Sequence, residues 1–465
     1  MASAVPDKRT RTALVQYPPS QRYVVDSLRT AFSRQLPGWT LFTSAAELAD
    51  GQKVDLQWSD YDALDWDLAQ DEHTLLNSFC IRKGLIRKSN LAHTIALYLS
   101  KNPDSSLRRA APKTFHFSCS FADELDELLM DDLYEVDQSF VEADAGGESK
   151  WWILKAALAD KGNGIRLFNS RETLEEIFQE FEPESDDDEE EEEEDKEDET
   201  RPAASRAALF GADTRVDATQ LREWVIQEYV SSPLLLDPAP DSNTHGTKFH
   251  LRVYVLAVGG LAVYVHHPYL ALFASSPYQP PAASASESGE FDLSAHLTNT
   301  CLQTSVLGEE APSVSVSTLQ SMADKVILGG PHEGEKLSEE RISRVEESVR
   351  EAVAEVFKAA VGAGSSFQAL PNAFEIFGLD FLVDSSFQVS LLEVNATGAE
   401  LQGIIDHLFA CTIDTAVKPF FARQDTQAGG AGDAEDKLVD TFERLHVGGS
   451  RGLKEVLRVE ISRAW

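Results

Sequence analysis

The chain has 465 residues, with 41 Lys+Arg against 78 Asp+Glu, a formal net charge of -37. At roughly 100–200 residues per domain that length asks for about two or three compact units, and a hydrophobic content of 42% excludes wholesale disorder. The acidity argues against nucleic acid or an anionic membrane as a partner, because phosphates would be repelled.

Part of the charge is local. Glu182–Glu199 holds 15 acids and one base, which accounts for -14 and leaves -23 for the other 447 residues. No apolar run approaches the ~20 residues of a membrane span, and Met1–Arg9 lacks the apolar stretch of a secretory signal. The cysteines Cys80, Cys119, Cys301 and Cys411 form no Cys-x-x-Cys pair, so their spacing indicates neither a zinc site nor a disulfide framework. The expected location is a reducing cytoplasm.

In chain order, residues 11–43 read as strand, helix, strand. The helix carries Val24, Leu28, Ala31, Phe32 and Leu36 at helical spacing and stops at Pro37-Gly38. Further helices are expected over Asp71–Phe79 and Lys88–Leu99, and residues 1–110 form a small N-terminal α/β domain. A second unit, 111–235, has a helix at Phe121–Met130, strands at Trp151–Lys155 and Ile165–Phe168, a helix at Arg171–Phe181 and a strand at Trp224–Val230. Within it, about 183–218 reads as a disordered acidic loop, since like charges repel and bury no apolar area.

A third unit, 236–422, begins with Phe249–Ala257, where Phe249, Leu251, Val253, Val255 and Ala257 share one face and His250, Arg252 and Tyr254 the other. Leu261–His266 follows a Gly259-Gly260 turn. Ile342–Val361 is an amphipathic helix that Gly362 ends. Then come the hairpin Phe374–Val383 and Val389–Asn395 and a helix from about Glu400 to Phe421. Gln424–Gly432 reads as a linker, and 423–465 as linker and weakly helical tail.

Chemistry concentrates in the last hairpin. Period two places Glu393 and Asn395 on one face, about 6–7 Å apart. A tight turn at Ser385-Ser386 pairs Asp380 with Leu391, which puts Asp380 diagonal to Glu393. Three oxygen ligands among Ile, Leu, Phe and Val fit Mg²⁺, a hard cation that bridges to phosphates. Lys155 ends a strand before the loop Lys161-Gly162-Asn163-Gly164, whose glycines let backbone N–H groups close on phosphate oxygens. Gln227-Glu228-Tyr229-Val230 is a buried strand running into an extended segment that can frame an adenine edge. Lys248-Phe-His250-Leu-Arg252 puts a lysine, a histidine and an arginine on one strand face.

Lysine strand, glycine loop, hinge strand, Lys–Arg strand and Asp…Glu-x-Asn hairpin follow the order of an ATP-grasp ligase. The segments Trp152–Lys155, Gly162–Ile165, Gln227–Leu236, Lys248–Arg252, Phe273–Tyr278, His296-Leu-Thr-Asn299 and Phe374–Asn395 resemble the tubulin–tyrosine ligase-like family over about residues 75–420, most of all its fungal, P-body-associated branch. The resemblance implies an α/β (α+β) ATP-grasp fold with the small N-terminal domain. It also implies ATP and Mg²⁺ as cofactors. Lys155, Lys161, Gly162, Gly164 and Lys248 would lie at phosphates, and Gln227, Glu228 and Val230 at adenine. Arg252 and Asn299 would face the acyl phosphate and amino acid, and Asp380, Glu393 and Asn395 would hold the metal.

The activity implied is ligation of a free amino acid to a protein acceptor such as the tubulin C-terminal tail. ATP would convert a carboxylate to an acyl phosphate that an amine attacks. Two positions depart from the family. His250 stands where it usually has Asp, and His267 aligns with an arginine expected to meet a substrate carboxylate beside His250 and Arg252. A nucleotide-binding pseudoenzyme serving as an interaction module and a small-molecule ATP-grasp ligase therefore stay open. Arg82, Lys83, Arg87 and Lys88 are the basic residues available for an acidic acceptor.

Overall fold

The structure, a computed structural model, describes residues 10–157, 164–181, 222–238, 246–281, 293–298, 316–364, 366–396, 404–428 and 452–459. Its N-terminal part is a parallel sheet. Strand β1 (Thr12–Leu14) is cut off by Pro18 and Pro19 and followed by helix α1 (Arg22–Gln35), which buries Val24, Leu28, Ala31 and Phe32. With β2 (Thr40–Phe42), β3 (Leu56–Gln57) and β4 (Leu75–Leu76) the strand order is β2-β1-β3-β4. Asp71–Phe79, expected to be helical, holds β4 instead. The Asp71 side chain accepts from His73 N (3.0 Å) and its carbonyl from Thr74 N (3.0 Å), which closes a turn. Leu75 and Leu76 then pair with Leu56 and Gln57, so ladder bonds win over helical propensity. Helix α2 (Lys88–Lys101) matches its expectation.

A second sheet is antiparallel throughout. It comprises β5 (Thr114–Ser118), β6 (Trp152–Ala156), β7 (Arg166–Phe168) and β8 (Glu223–Glu228), in the order β5-β8-β6-β7. Helices α3 (Tyr134–Asp144) and α4 (Arg171–Phe181) cover one face. The core there joins Trp152, Leu154, Phe168, Phe178 and Trp224. The acidic segment 183–218 and the loop residues Lys161 and Gly162 lie outside the described residues.

The largest sheet is built on one long strand. After β9 (Leu235–Leu236), β10 (Thr247–Val258) pairs along one edge with β11 (Ala262–His266) and β12 (Leu270–Phe273), the latter continued by β13 (Val316–Thr318). Its other edge holds β14 (Phe374–Val383), which pairs with β15 (Val389–Ala396). The expected alternation holds. Phe249, Leu251, Val253, Val255 and Ala257 pack with Val345, Val349, Val353 and Phe357 of helix α5 (Glu339–Ala363). The opposite face is apolar at Tyr254 and Leu256, where it meets α1 and helix α6 (Ile404–Thr412), and polar at Lys248, His250 and Arg252. One strand thus serves two cores and leaves one end of one face for chemistry.

Three boundaries differ from the sequence reading. Helix α5 continues past Gly362 to Gly364, whose φ of 62° ends it in the left-handed region. Helix α6 passes through a π-helical turn, Ile413–Val417, into α7 (Lys418–Ala428), so helix occupies the start of the expected linker. The tail, read as helical, provides strand β16 (Leu453–Arg458), paired antiparallel with β11. No helix among the described residues is long and apolar enough to cross a membrane.

The N-terminal sheet is fastened to the large one. Glu375, 1% exposed, accepts from Phe79 N (3.0 Å) and forms an ion pair with Arg82. Burial raises the Glu375 carboxyl above its ordinary range, and Arg82 opposes that rise. Arg82 also lies 3.9 Å over the Tyr61 ring. It is structural, and the basic surface expected of residues 82–88 has to do without it.

Candidate active site

Lys155 stands near the end of β6 with its side chain buried, and its Nζ donates to Gln227 Oε1 on β8 at 2.8 Å. Register places Lys155 beside Val225 and Ile153 beside Gln227, so the reach is diagonal across one ladder. Burial pulls the Lys155 ammonium down to about 8, while Glu393 and Asp380 act to raise it. Lys248, at the start of β10, donates to Tyr229 Oη at 3.0 Å and lies 4.4 Å from that ring's centroid. Burial first, then the charge of Lys155, pulls it down to about 7. Tyr229 Oη is 2.8 Å from His296 Nδ1, and burial pushes its own pKa up. Two ammonium groups held this far from water are weakly compensated positive charges, suited to receive an anion.

The hairpin supplies the opposite sign, with a correction to its register. The turn spans Asp384–Gln388 rather than two residues, and a bulge between Asp380 and Phe381 follows. Asp380 is therefore directly opposite Glu393, not diagonal to it. Asp380 also lies opposite Arg252 on its other side. Arg252 Nε and Nη2 donate to its two oxygens at 2.5 and 2.9 Å. Burial opposes the charge of Arg252, yet Asp380 outweighs it and holds the guanidinium pKa above its ordinary value. The carboxylate at the floor of the hairpin is thus neutralised by a bidentate arginine. Asn395 Nδ2 is 3.2 Å from Asp380 Oδ2 and 3.3 Å from Glu393 Oε1.

His250 is buried beside this pair. Its Nδ1 is 2.6 Å from Thr298 Oγ1, and its Nε2 lies 3.6 Å from Asp380 Oδ1 without a hydrogen-bond partner among the described residues. Burial, then Arg252, pulls it down to about 3, so the ring is neutral. His267 is elsewhere. It follows β11 on the opposite sheet face, stacked on Tyr269 (4.6 Å) and 3.8 Å from Glu346 of α5. The alternation that sends Val263 and Val265 toward α5 sends position 267 the same way, so His267 cannot stand beside His250 and Arg252. Asn299, Lys161 and Gly162 are outside the described residues; Gly164, with φ of 71°, re-enters the chain before β7.

Lys155, Gln227, Glu228, Val230, Glu393 and Asn395 line one cleft of about 990 Å³, its walls drawn from two different sheets. Glu228 is exposed, and its N–H is already bonded to Lys113 O (2.8 Å), as is that of Tyr229 to Trp151 O (2.9 Å). Val230 is the position where the segment leaves the ladder. Tyr229 and Thr298 carry more of the geometry than their sequence signals suggest. Tyr229 could have been found from the alternation that aims it away from Glu228, whereas Thr298 depends on a long loop return that no periodicity reports.

A central antiparallel sheet, a smaller antiparallel sheet over it, and a cleft between them with Lys155 on the smaller sheet and Glu-x-Asn on the larger define an ATP-grasp protein. A family model described as the tubulin-tyrosine ligase family matches residues 67–424, and the chain belongs to that family. It is 35% identical over 428 residues to the probable tubulin–tyrosine ligase PBY1 of Saccharomyces cerevisiae, covering 89% of this chain. The chain spans only 53% of that relative's length. A probable tubulin–tyrosine ligase of Schizosaccharomyces pombe is 35% identical over 391 residues, 82% of this chain and 85% of its own. Among solved structures, the C-terminal domain of Kluyveromyces lactis Pby1, described as an ATP-grasp enzyme interacting with the mRNA decapping enzyme Dcp2, superposes with a TM-score of 0.61 at 29% identity. That match covers 97% of this chain and all of the other.

Proposed function

We propose that this chain is an ATP-dependent carboxylate–amine ligase that attaches an amino acid to a protein acceptor. The observation that carries the reading is the pairing, in one cleft, of a buried lysine with the Glu393 carboxylate and the Asn395 amide. ATP is a substrate in this reading. Gln227 and the main chain at Val230 border the adenine position, and Lys155 and Lys248 meet phosphate oxygens, which return both ammoniums to full charge. Arg252, fixed by Asp380, is the cation positioned for charge that develops during phosphoryl transfer.

The donor set also fits Mg²⁺. Glu393 faces the cleft, near enough to Lys155 to interact with its charge but in no ion pair among the described residues, and Asn395 adds a neutral oxygen once its amide is turned. Asp380 would use the lone pairs that Arg252 leaves. The metal would supply charge neutralisation at the phosphates.

Incubation with Mg-ATP, labelled amino acids and tubulin or a decapping-complex acceptor tests this reading. Covalent label on a protein, lost in Glu393→Gln, supports it. ATP binding without label on any protein or ADP release overturns ligation. A second reading, nucleotide binding without turnover, rests on His250, which puts a neutral ring where the family usually has a carboxylate. The interaction of the K. lactis relative with a decapping enzyme supports a protein partner of that kind for either reading.

A further inference from the structure

On the face of the large sheet that carries Lys248, His250 and Arg252, but where α1 and α6 cover it and outside the lining of the cleft, three metal-binding side chains meet. His266 closes β11, and His407 and Cys411 stand one turn apart on α6. His266 Nε2 is 2.9 Å from His407 Nδ1, and Cys411 Sγ is 3.9 and 3.6 Å from the two His407 nitrogens. One ligand atom from each lies within 4.8 Å of the others. We propose that His266, His407 and Cys411 form a binding site for a zinc-class transition metal ion, independent of the nucleotide cleft.

The geometry is close to what such an ion requires. A tetrahedral centre with Zn–N near 2.0–2.1 Å and Zn–S near 2.3 Å separates two nitrogens by about 3.4 Å and nitrogen from sulfur by about 3.5 Å. The two imidazoles must separate by about 0.5 Å and Cys411 Sγ must approach His407 Nδ1 by about 0.4 Å, while His266 and Cys411, within 4.8 Å, must close by up to about 1.3 Å. The donor types match too. Imidazole and thiolate select zinc and its neighbours over the hard cations that carboxylates prefer.

His266 is fully buried, and its Nδ1 has no hydrogen-bond partner among the described residues. Its approach to His407 is thus slight compensation for a buried ring, which a metal bond at Nε2 would improve. Burial holds its pKa down to about 3, so the lone pair is available at neutral pH. His407 is exposed and gives the ion a way in.

A second observation concerns Gly452, at the start of β16. A Cβ there would stand 2.2 Å from His407 Cε1 and 3.1 Å from Cys411 Sγ. The backbone of the C-terminal strand therefore lies directly on the cluster, and its Gly452 carbonyl accepts from His267 N at 2.7 Å. Metal loading would join β11 to α6 under that strand. The Cys411 thiol loses its proton to solvent as the sulfur–metal bond forms.

The test uses tag-free full chain stripped of metal. Zn²⁺ is titrated against a chromophoric chelator, and Co²⁺ is loaded in parallel to look for a thiolate-to-cobalt charge-transfer band. One equivalent bound with that band, and affinity lowered by more than about 100-fold in both His407→Ala and Cys411→Ala, is expected. His407→Ala removes an exposed side chain, so its apo circular dichroism should match the parent even if Cys411→Ala packs poorly. A parent that takes up no zinc, cobalt bound without the thiolate band, or His407→Ala binding like the parent each overturns the proposal.

Discussion

Replacing Lys248 with Met should stabilise the unliganded protein near neutral pH and do so less as pH rises. The ammonium is held at about 7 by burial, against 10.5 for a free lysine. The unfolded chain therefore binds more protons than the folded one between these values. The native lysine costs stability that is fully present below its folded pKa and vanishes above the unfolded one. With about 1.36 kcal/mol per pKa unit, the cost is about 4 kcal/mol at pH 7 and falls to about 1 kcal/mol near pH 9.5. Against this, Met forfeits the bond to Tyr229 Oη (3.0 Å) and the ring contact, together about 1–2 kcal/mol. The expected gain is then about 2–3 kcal/mol at pH 7 and close to zero near pH 9.5.

Urea unfolding of both proteins across that range gives the difference directly. Lys155 is present in both and largely cancels. A difference between variant and parent that stays flat with pH would refute the burial argument, and destabilisation at every pH would make Lys248 a structural residue. The same variant should lose most of the stabilisation that Mg-ATP confers on the parent.

Arg252→Met leaves Asp380 charged and buried, and should cost about 3–5 kcal/mol in denaturant unfolding, most of it recovered when Asp380→Leu is added. Glu393→Gln should leave the apo melting temperature near the parent's while removing the Mg²⁺-dependent part of an ATP-induced shift, which for the parent at about 100 times Kd is worth about 2.7 kcal/mol. Ser338 caps α5 through Oγ to Arg341 N (3.3 Å), so Ser338→Ala should cost about 1 kcal/mol without altering ATP binding.

Much of this arrangement is readable in the chain because it depends on short-range periodicity. The two faces of β10, the inward stripe of α5 and the same-face placement of Glu393 and Asn395 follow from periods of two and 3.6. What escaped reading depends on long-range or irregular geometry. The bulge at Asp380 shifts its partner, and nothing in an alternating pattern announces an extra residue. Arg252 is recognisable as a strand arginine, but the carboxylate that fixes it, Asp380, lies 128 positions away and no local pattern announces the pair. His267 was placed by alignment to a motif, whereas the parity of β11 sends it to the other face. Cysteine spacing is silent on the meeting of Cys411 with His266 and His407, which tertiary packing makes and no local pattern shows.

Strand β16 has a genetic consequence. Its residues are the last described stretch of the chain, yet they cover β11, which belongs to the same sheet as β10 and the Asp380 hairpin. A premature stop between codons 429 and 452 would spare every residue of the cleft and still strip this cover. It would leave those N–H and C=O groups of Ala262–His266 that face β16 unpaired along an open sheet edge, a template for pairing with other chains. Such an allele would keep the whole cleft in a sequence comparison and yet encode an aggregation-prone protein.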